Sequence, residues 1–295
     1  MKQDRASLTA ARVALRRASH QLLDRPLVFE DPLALRVIGA ERRGQLEANP
    51  RSFDRGWLSR YLRAFLVARS RFSEEHLAAA IARGVLQYVL LGAGLDTSAH
   101  RLGAAHRDLR AFEVDHPATQ RMKRGRLREG GIATPPNVRF VPVDFERQEL
   151  PAELSAAGFD ANAPAFFAWL GVTMYLTRAA FDETLSFIAA RPGGSAVTFD
   201  YSVAPRLLSP IRRLFYELMA ARVRAAGEPW ILSFVPGELE GTLRSRGFGR
   251  VEDCDERCVN QRYFRGRSDG LRVSGTARIV YAEVGATVAP PNSNS

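Results

Sequence analysis

Apolar side chains recur at helical spacing through the first part of the chain, and further on they gather into short continuous runs. The helical period covers residues 6–23, 57–70 and 73–83, the last of which opens with an acidic turn. Another helix is predicted after residues 31–32, where an aspartate can cap it and a proline suits its first position. We therefore expect a helical cap over residues 1–84.

Beyond the cap, short apolar runs alternate with helical patterns, which is typical of a parallel sheet. The fold class is predicted as α/β, with a doubly wound, mostly parallel, seven-stranded sheet over residues 85–285. Helix 206–226 falls outside the alternation and predicts a helical lid insertion near 202–235, and residues 286–295 predict a disordered tail. The strands are predicted at 87–91, 109–114, 138–141, 165–170, 195–201, 250–253 and 277–283, and the remaining helices at 117–129, 178–191 and 236–247.

Composition favours a globular protein over a nucleic-acid-binding or membrane protein. The chain is 46% hydrophobic and 25% charged, as in ordinary globular proteins. The net charge is +10, but 40 of the 42 basic residues are arginine, which indicates GC-rich codon usage more than a nucleic-acid surface. No apolar run is long enough to span a membrane and the N-terminus lacks the apolar core of a signal peptide, so we expect a cytoplasmic enzyme. Cys254 and Cys258 are expected to be unrelated reduced thiols, and no metal site is predicted.

The first predicted strand, Gln87–Leu91, stops at Gly92-Ala93-Gly94. The first glycine allows a tight turn, and the second lets the backbone approach a ligand closely. Because ligands of open parallel sheets bind at the carboxyl ends of the strands, this loop predicts a nucleotide-type cofactor site.

The ends of the next two predicted strands carry side chains that suit the other parts of a nucleotide-type cofactor. Asp115 ends the second strand, 21 residues after Gly94, where a carboxylate can accept hydrogen bonds from the hydroxyls of a ribose. Asp144 and Phe145 end the third, where an acid can take the exocyclic amine of an adenine and the ring can pack on the phenyl group. Each feature alone is weak, but three in order at successive strand ends predict an adenosyl site.

Two other functions stay open on these residues. A nicotinamide-dependent oxidoreductase would require a third glycine where Thr97 stands, and Asp96 would repel phosphates while tolerating a sulfonium and an amino group. Asp96 can equally be a helix cap. A non-catalytic adenosyl- or RNA-binding module is favoured only by the basic charge. The loop therefore favours S-adenosylmethionine as the cofactor.

Several motifs together resemble the leucine carboxyl methyltransferase-like family of bacterial S-adenosylmethionine-dependent O-methyltransferases. They are GAGLDT, FEVDHP, VDF and YLT in the centre, RRASHQLLDRPLVFEDPLA and ARSRF before them, and RYFRGRSDGL after them. The resemblance covers about residues 16–283 and implies a class I methyltransferase fold. Arg17 matches a basic position of the family only loosely.

The resemblance also implies roles for single residues. Arg69 would pair with the carboxylate of the cofactor, although it can also be read as a solvated helix residue. Leu170 stands where the family often has a cofactor-binding acid, so contact from this strand must come from backbone groups near it or be lost. The other implied cofactor contacts are Gly92 and Gly94 on the methionine part, Asp115 on the ribose, and Asp144 with Phe145 on the adenine.

The methyl acceptor is the least determined part. A carboxylate acceptor needs no general base, and the sequence singles none out, since His116 and the four other histidines form no triad or metal pattern. We therefore expect a carboxylate or an acidic hydroxyl on a small molecule or peptide in secondary metabolism, and the positive net charge agrees with an anionic acceptor. The oligomeric state is left open. Candidate substrate contacts are Tyr175, which can equally belong to the core, and Arg212, Tyr216 and Trp230 in the lid.

Overall fold

The protein is described by a computed structural model that covers residues 7–54, 56–144, 148–225 and 229–285. The helices within these ranges are α1 (Leu8–Leu23), α2 (Ala34–Val37), α3 (Ala40–Ala48), α4 (Gly56–Ala82), α5 (Ser98–Ala105), α6 (Pro117–Glu129), α7 (Leu150–Ala156), α8 (Arg178–Ala189), α9 (Pro210–Ala225), α10 (Pro236–Ser245) and α11 (Glu256–Tyr263). The strands are β1 (Gln87–Leu91), β2 (Arg110–Asp115), β3 (Val138–Pro142), β4 (Phe166–Trp169), β5 (Ala196–Ser202), β6 (Phe248–Cys254) and β7 (Ala277–Val284).

The seven strands form one sheet in the order β3-β2-β1-β4-β5-β7-β6. The first five strands in the chain pair in parallel, and β7 pairs antiparallel with both β5 and β6. The predicted doubly wound, mostly parallel sheet is confirmed. The chain leaves β1 toward one edge and returns at β4 toward the other, so the topological switch point lies between β1 and β4. In this class of sheet, ligands bind beside the carboxyl ends of the strands at that point.

The central strand β1 is buried over its whole length. Its side chains alternate between two cores, because successive residues of a strand point to opposite faces. Tyr88 and Leu90 pack into the core shared with α4, whereas Val89 and Leu91 pack into the core on the other face. A strand that is buried on both faces has apolar residues at successive positions. The ends of this apolar run therefore predict the bounds of the strand well.

Two helices predicted at 57–70 and 73–83 are in fact the single helix α4. The acidic start at Ser73 does not form a helix end. The Ser73 hydroxyl is buried and lies 2.6 Å from the hydroxyl of Thr198 on β5. The prediction was wrong because a serine followed by acidic residues also occurs inside a helix, where a partner elsewhere in the fold satisfies its hydroxyl.

The helix predicted to begin at Pro32 begins at Ala34 instead, with Leu33 as its N-cap residue. Asp31 does accept a hydrogen bond from the Leu33 N–H, at 3.1 Å, but it lies ahead of the helix. Three helices were not predicted at all, namely α5, α7 and α11.

The expectation of two reduced thiols was also wrong, because Cys254 and Cys258 form a disulfide. β6 ends at Cys254, and Asp255 caps α11 by accepting from the Cys258 N–H at 2.9 Å. This strand-to-helix turn brings the two Cα atoms to 5.3 Å, within the range that a disulfide spans.

The helix predicted outside the alternation is present as α9, which follows the carboxyl end of β5. The helices α1–α4 all precede β1, as predicted for the cap, and α4 shares its core with β1 and β4. The predicted domain bounds stay predictions, and the predicted tail 286–295 lies outside the described residues. Within those residues, none of the helices has both the length and the apolar character needed to cross a bilayer.

Candidate functional site

The loop after β1 makes a tight turn that depends on its two glycines. Gly92 has a φ of 72° and Gly94 a φ of 50°, the region that favours glycine. A Cβ at Gly92 would lie 2.4 Å from Cγ2 of Val172 in the segment after β4, and a Cβ at Gly94 would lie 3.1 Å from Cβ of Ala10 on α1. The loop is therefore closely packed between the end of β4 and the first turns of α1.

Asp115 lies at the carboxyl end of β2, beside this loop. One carboxylate oxygen accepts from the Gly94 N–H at 2.6 Å, and the other accepts from the His116 N–H at 2.7 Å. Burial raises the pKa of Asp115, against the opposing effect of these two donors. His116 itself caps α6 by accepting from the Ala118 N–H at 3.2 Å, which fits a structural role. The sequence-predicted pair of Gly94 and Asp115 is thus brought into direct contact.

Asp96 holds the next turn of the loop and connects it to α1. Its carboxylate accepts from the Ser98 N–H at 2.7 Å and from the Arg17 guanidinium at 3.0 Å. Burial alone would raise its pKa, but the charges of Arg17 and Lys123 outweigh burial and lower it. Asp96 therefore stays ionised and contacts both α5 and α1.

Arg17 is the residue that joins α1 to the site, and the apolar pattern of α1 does not predict it. The side chain is buried and also donates to Asp31 at 2.5 Å and to the Thr97 hydroxyl at 2.9 Å. The pattern placed the arginines of α1 on the solvent side, and only the loose family resemblance pointed to Arg17.

Arg69 of α4 is buried, so it is not the solvated residue of the alternative interpretation. It donates to Asp200 of β5 at 2.7 Å, and the other oxygen of Asp200 accepts from the Gly171 N–H at 2.5 Å. Asp200 therefore holds both the predicted arginine and the backbone donor next to Leu170. The sequence analysis missed Asp200, although an acid within the apolar run AVTFDYS was a usable signal.

One cavity of about 80 Å³ lies at the switch point, and Asp115 and Asp200 contact residues of its wall without lining it themselves. Its wall includes Arg69, Gly92, Gly94, Asp96 and Leu170, all predicted from the sequence. The wall contributed by α1 was not predicted, and it consists of Thr9, Ala10, Val13, Ala14 and Arg17.

The donor set of this cavity fits S-adenosylmethionine in chemistry. The Asp96 carboxylate suits its amino group, a guanidinium suits its carboxylate, and Asp115, which contacts the glycine loop, suits its ribose hydroxyls. In volume the cavity is small, since ligand pockets of this class measure roughly 300–1,000 Å³. The residues fit the cofactor, and the walls must move to admit it.

The structure does not place the predicted adenine contacts, Asp144 and Phe145, at this cavity. Asp144 follows β3, and its N–H donates to the side chain of Gln148 at 2.9 Å, but Asp144 does not line this cavity. Phe145 lies outside the described residues.

The predicted lid residues lie at a second cavity, of about 160 Å³. Arg212, Tyr216 and Trp230 all line it, together with Trp57 of α4. Tyr175 lies elsewhere, in the 3₁₀ turn Thr173–Tyr175 after β4. The structure thus groups three of the four candidate substrate contacts.

Comparison with known proteins now identifies the family. A family model described as leucine carboxyl methyltransferase matches residues 10–189. The chain belongs to the leucine carboxyl methyltransferase family. Membership makes it an S-adenosylmethionine-dependent methyltransferase, as the loop chemistry favoured, and decides against the nicotinamide-dependent oxidoreductase.

Individual relatives agree with this family. YktD of Bacillus subtilis (strain 168), provisionally named an S-adenosyl-L-methionine-dependent methyltransferase, is 30% identical over 96% of this chain and 99% of its own length. A Frankia alni protein with the same provisional name is 36% identical over 62% of this chain and 63% of its own.

Two crystal structures share the fold. One is a DUF574 family protein from Streptomyces avermitilis MA-4680, with a TM-score of 0.54 and 16% identity over 92% of this chain and 96% of that one. The other is from Thermobifida fusca YX, provisionally described as a methyltransferase, with a TM-score of 0.54 and 17% identity over 93% and 94%.

Proposed function

We propose that this methyltransferase acts on oxygen, and that it methylates a carboxylate or an acidic hydroxyl of a small molecule or peptide in secondary metabolism. The observation that carries the proposal is the ionisable content of the cavity at the switch point. Arg17 and Asp96 pair with each other, and Arg69 pairs with Asp200. Tyr88, the remaining ionisable group of the wall, has its pKa raised well above the ordinary value by burial.

A neutral phenol with a raised pKa is a poor general base at neutral pH. A carboxylate or acidic hydroxyl acceptor fits such a site, because it is already ionised and requires no proton removal before transfer. The residues of this chain then have the tasks of binding, alignment and exclusion of water.

Each polar group at the site has a task under this proposal. Asp115, held by the Gly94 N–H, would hold the ribose of the cofactor, and Arg69 would hold its carboxylate after exchanging Asp200 for it. When bound, S-adenosylmethionine supplies an electrophilic methyl group on a sulfonium that leaves as a neutral thioether. The residues of this chain would hold that methyl group in line with the acceptor oxygen, and the transfer would require no external acid or oxidant.

The reaction can be tested with S-adenosylmethionine that carries a trideuteromethyl group. The purified protein is incubated with panels of carboxylic acids, phenols and amines, and products are detected by the corresponding mass increase. We expect label in acids or acidic hydroxyls. Mild base should release the label from methyl esters and leave methyl ethers intact, which separates the two kinds of acceptor. Label found only in amines or thiols would contradict O-methylation while leaving the family assignment unchanged.

A further inference from the structure

A second cavity has no role in the methyl transfer described above. It is the 160 Å³ cavity between the first turns of α4, the lid helix α9 and the segment that leads into β7. We call it the aromatic cavity and define it by its ring-bearing and charged lining: Trp57, Tyr61, Arg212, Phe215, Tyr216 and Trp230.

Five of its eleven lining residues carry aromatic rings. The ring of Trp57 meets that of Phe215 edge to face at a centroid distance of 5.5 Å. Tyr216 and Trp230 lie 5.5 Å apart at an angle of 44°. Rings in these arrangements present both faces and edges, which suit a flat unsaturated ligand better than a saturated one. The wall therefore selects for an aromatic group.

One lining residue, Trp230, carries a polar atom with no partner among the described residues. The indole Nε1 of Trp230 is buried, and none of the described residues accepts its hydrogen. A buried donor without an acceptor costs free energy, so a ligand that brings an acceptor gains from meeting it. Arg212 differs, because it is half exposed and already pairs with Glu256 at 2.9 Å.

Two independent paths relate this cavity to the methyl-transfer site. Along α4, Tyr61 precedes Arg69 by eight residues, which is about 12 Å of helix. Along β5, Asp200 precedes Val203 by three residues, about 10 Å of strand, and the Val203 N–H donates to the carbonyl of Thr276 in the cavity wall at 3.2 Å. The cavity and the Arg69–Asp200 pair are therefore separated by about the length of two fused or linked rings.

The main chain also connects the two sites. The N–H groups of Ile231 and Leu232, next to Trp230, both donate to the carbonyl of Met174, at 2.8 and 3.2 Å. Met174 belongs to the turn after β4, two residues from the Val172 side chain that packs on Gly92. The position of Trp230 is thus fixed relative to the glycine loop.

We propose that the aromatic cavity binds the distal end of the methyl acceptor, and that this end is a flat aromatic group with a hydrogen-bond acceptor that meets Trp230 Nε1. The inference rests on the proposed function and specifies its substrate class. The acceptor is then an elongated aromatic acid, whose reacting carboxylate reaches the cofactor site from a ring held between α4 and α9.

The probes are 4′-methoxybiphenyl-4-carboxylate, biphenyl-4-carboxylate and the saturated analogue 4-cyclohexylcyclohexanecarboxylate. Each is titrated by calorimetry into the protein saturated with S-adenosylhomocysteine. We expect both biphenyls to bind at least tenfold more tightly than the saturated acid. Equal binding of all three, or no binding by either biphenyl, would overturn the inference.

Variants separate the ring contacts from the hydrogen bond. Trp230→Phe keeps a ring but removes the N–H, so it should weaken the methoxy compound about fivefold or more and change biphenyl-4-carboxylate by less than twofold. Trp57→Leu should weaken both biphenyls about tenfold. Leu218→Ala, on an exposed part of α9 that does not line the cavity, is the matched control and should change neither.

Binding of S-adenosylhomocysteine itself distinguishes the two levels of the proposal. If it binds normally to every variant and the biphenyls show no dependence on Trp57 or Trp230, the aromatic cavity is not the acceptor site, whereas the methyltransferase function stands. If it fails to bind the wild-type protein, the proposed function fails first. Should Trp57→Leu not fold, Trp230→Phe with the two biphenyls decides the question alone.

Discussion

At the scale of single residues, the carboxylate of Asp115 is the most direct test of the cofactor site. It already accepts from the Gly94 and His116 amides, so it is fixed at the turn before any ligand arrives. Replacing Asp115 by Asn puts an amide NH₂ against one of these N–H donors and removes the charge. We expect S-adenosylhomocysteine to bind about 10- to 100-fold more weakly, equivalent to about 1–3 kcal/mol, as measured by calorimetry.

The control for this variant is Asp108→Asn, which makes the same chemical change in the exposed turn before β2. It should leave the affinity within about twofold, as surface substitutions usually do. Unchanged affinity in Asp115→Asn, with its circular dichroism spectrum and melting temperature intact, would remove Asp115 from the cofactor site.

His76 provides a prediction about pH. Burial lowers its pKa to about 4, with help from the charges of Arg262 and Arg250, and its ring stacks on Tyr281 at 4.0 Å. The unfolded chain therefore binds this proton near pH 6.5 and the folded chain only near pH 4. Stability should be full above pH 6.5 and fall as the pH drops toward 4, by about 1 kcal/mol per pH unit from this group.

His76→Phe keeps an aromatic ring on Tyr281 and removes the titrating group. Urea unfolding at pH 7, 6 and 5 should show a shallower dependence of the unfolding free energy on pH than in the wild type. The same slope in both proteins would assign the acid sensitivity to other groups.

The sequence predicted the site residues that belong to a short motif at a strand end. It missed those whose role depends on an ion pair with a residue far away in the chain. Gly92, Gly94 and Asp115 follow β-formers at strand ends, and the structure places them together. Asp200 pairs with a residue 131 positions away, and Arg17 with one 79 positions away. Neither separation leaves a trace in the pattern of the neighbouring residues.

At the scale of elements, α1 is attached to the glycine loop mainly through one side chain. Arg17 donates to Asp31, Asp96 and Thr97, and all of these interactions end within a buried site. Arg17→Met would remove the shared cation of Asp31 and Asp96, although Asp31 keeps Arg101 at 3.3 Å. Because removing one partner of a buried ion pair is strongly destabilising, we expect a loss of about 3 kcal/mol in the free energy of unfolding, measured in urea.

Arg12→Met is the matched control, since Arg12 lies on the same helix and is exposed. It should change the free energy of unfolding by less than about 0.5 kcal/mol. Equal effects of the two substitutions would show that Arg17 contributes no more than a surface arginine.

The strands were more predictable than the helices, for a physical reason. β1 and β4 are buried on both faces, so their apolar runs end where the sheet ends, and the predicted bounds differ from the observed ones by at most one residue. Helix ends depend on which polar groups find partners elsewhere. Ser73 looks like a cap in the sequence, but in the fold it lies inside α4 and meets Thr198.

At the scale of the whole molecule, the small cavity at the switch point makes a kinetic prediction. At about 80 Å³ it is too small for S-adenosylhomocysteine, and five residues of α1 line it. The protein must therefore open before or during binding, and the opening step limits the rate at high ligand concentration. In stopped-flow fluorescence, the observed rate should level off as the concentration of S-adenosylhomocysteine increases.

Loosening α1 should raise that plateau, because the helix and the glycine loop must separate for the wall to move. Arg17→Met removes the side chain that joins them, so its limiting rate should exceed that of the wild type severalfold, while Arg12→Met should match the wild type. The equilibrium affinity can move in either direction, but the order of the plateaus follows from the geometry alone. A rate that rises linearly with concentration in all three proteins would mean that α1 does not restrict entry and that the cofactor reaches its site by another route.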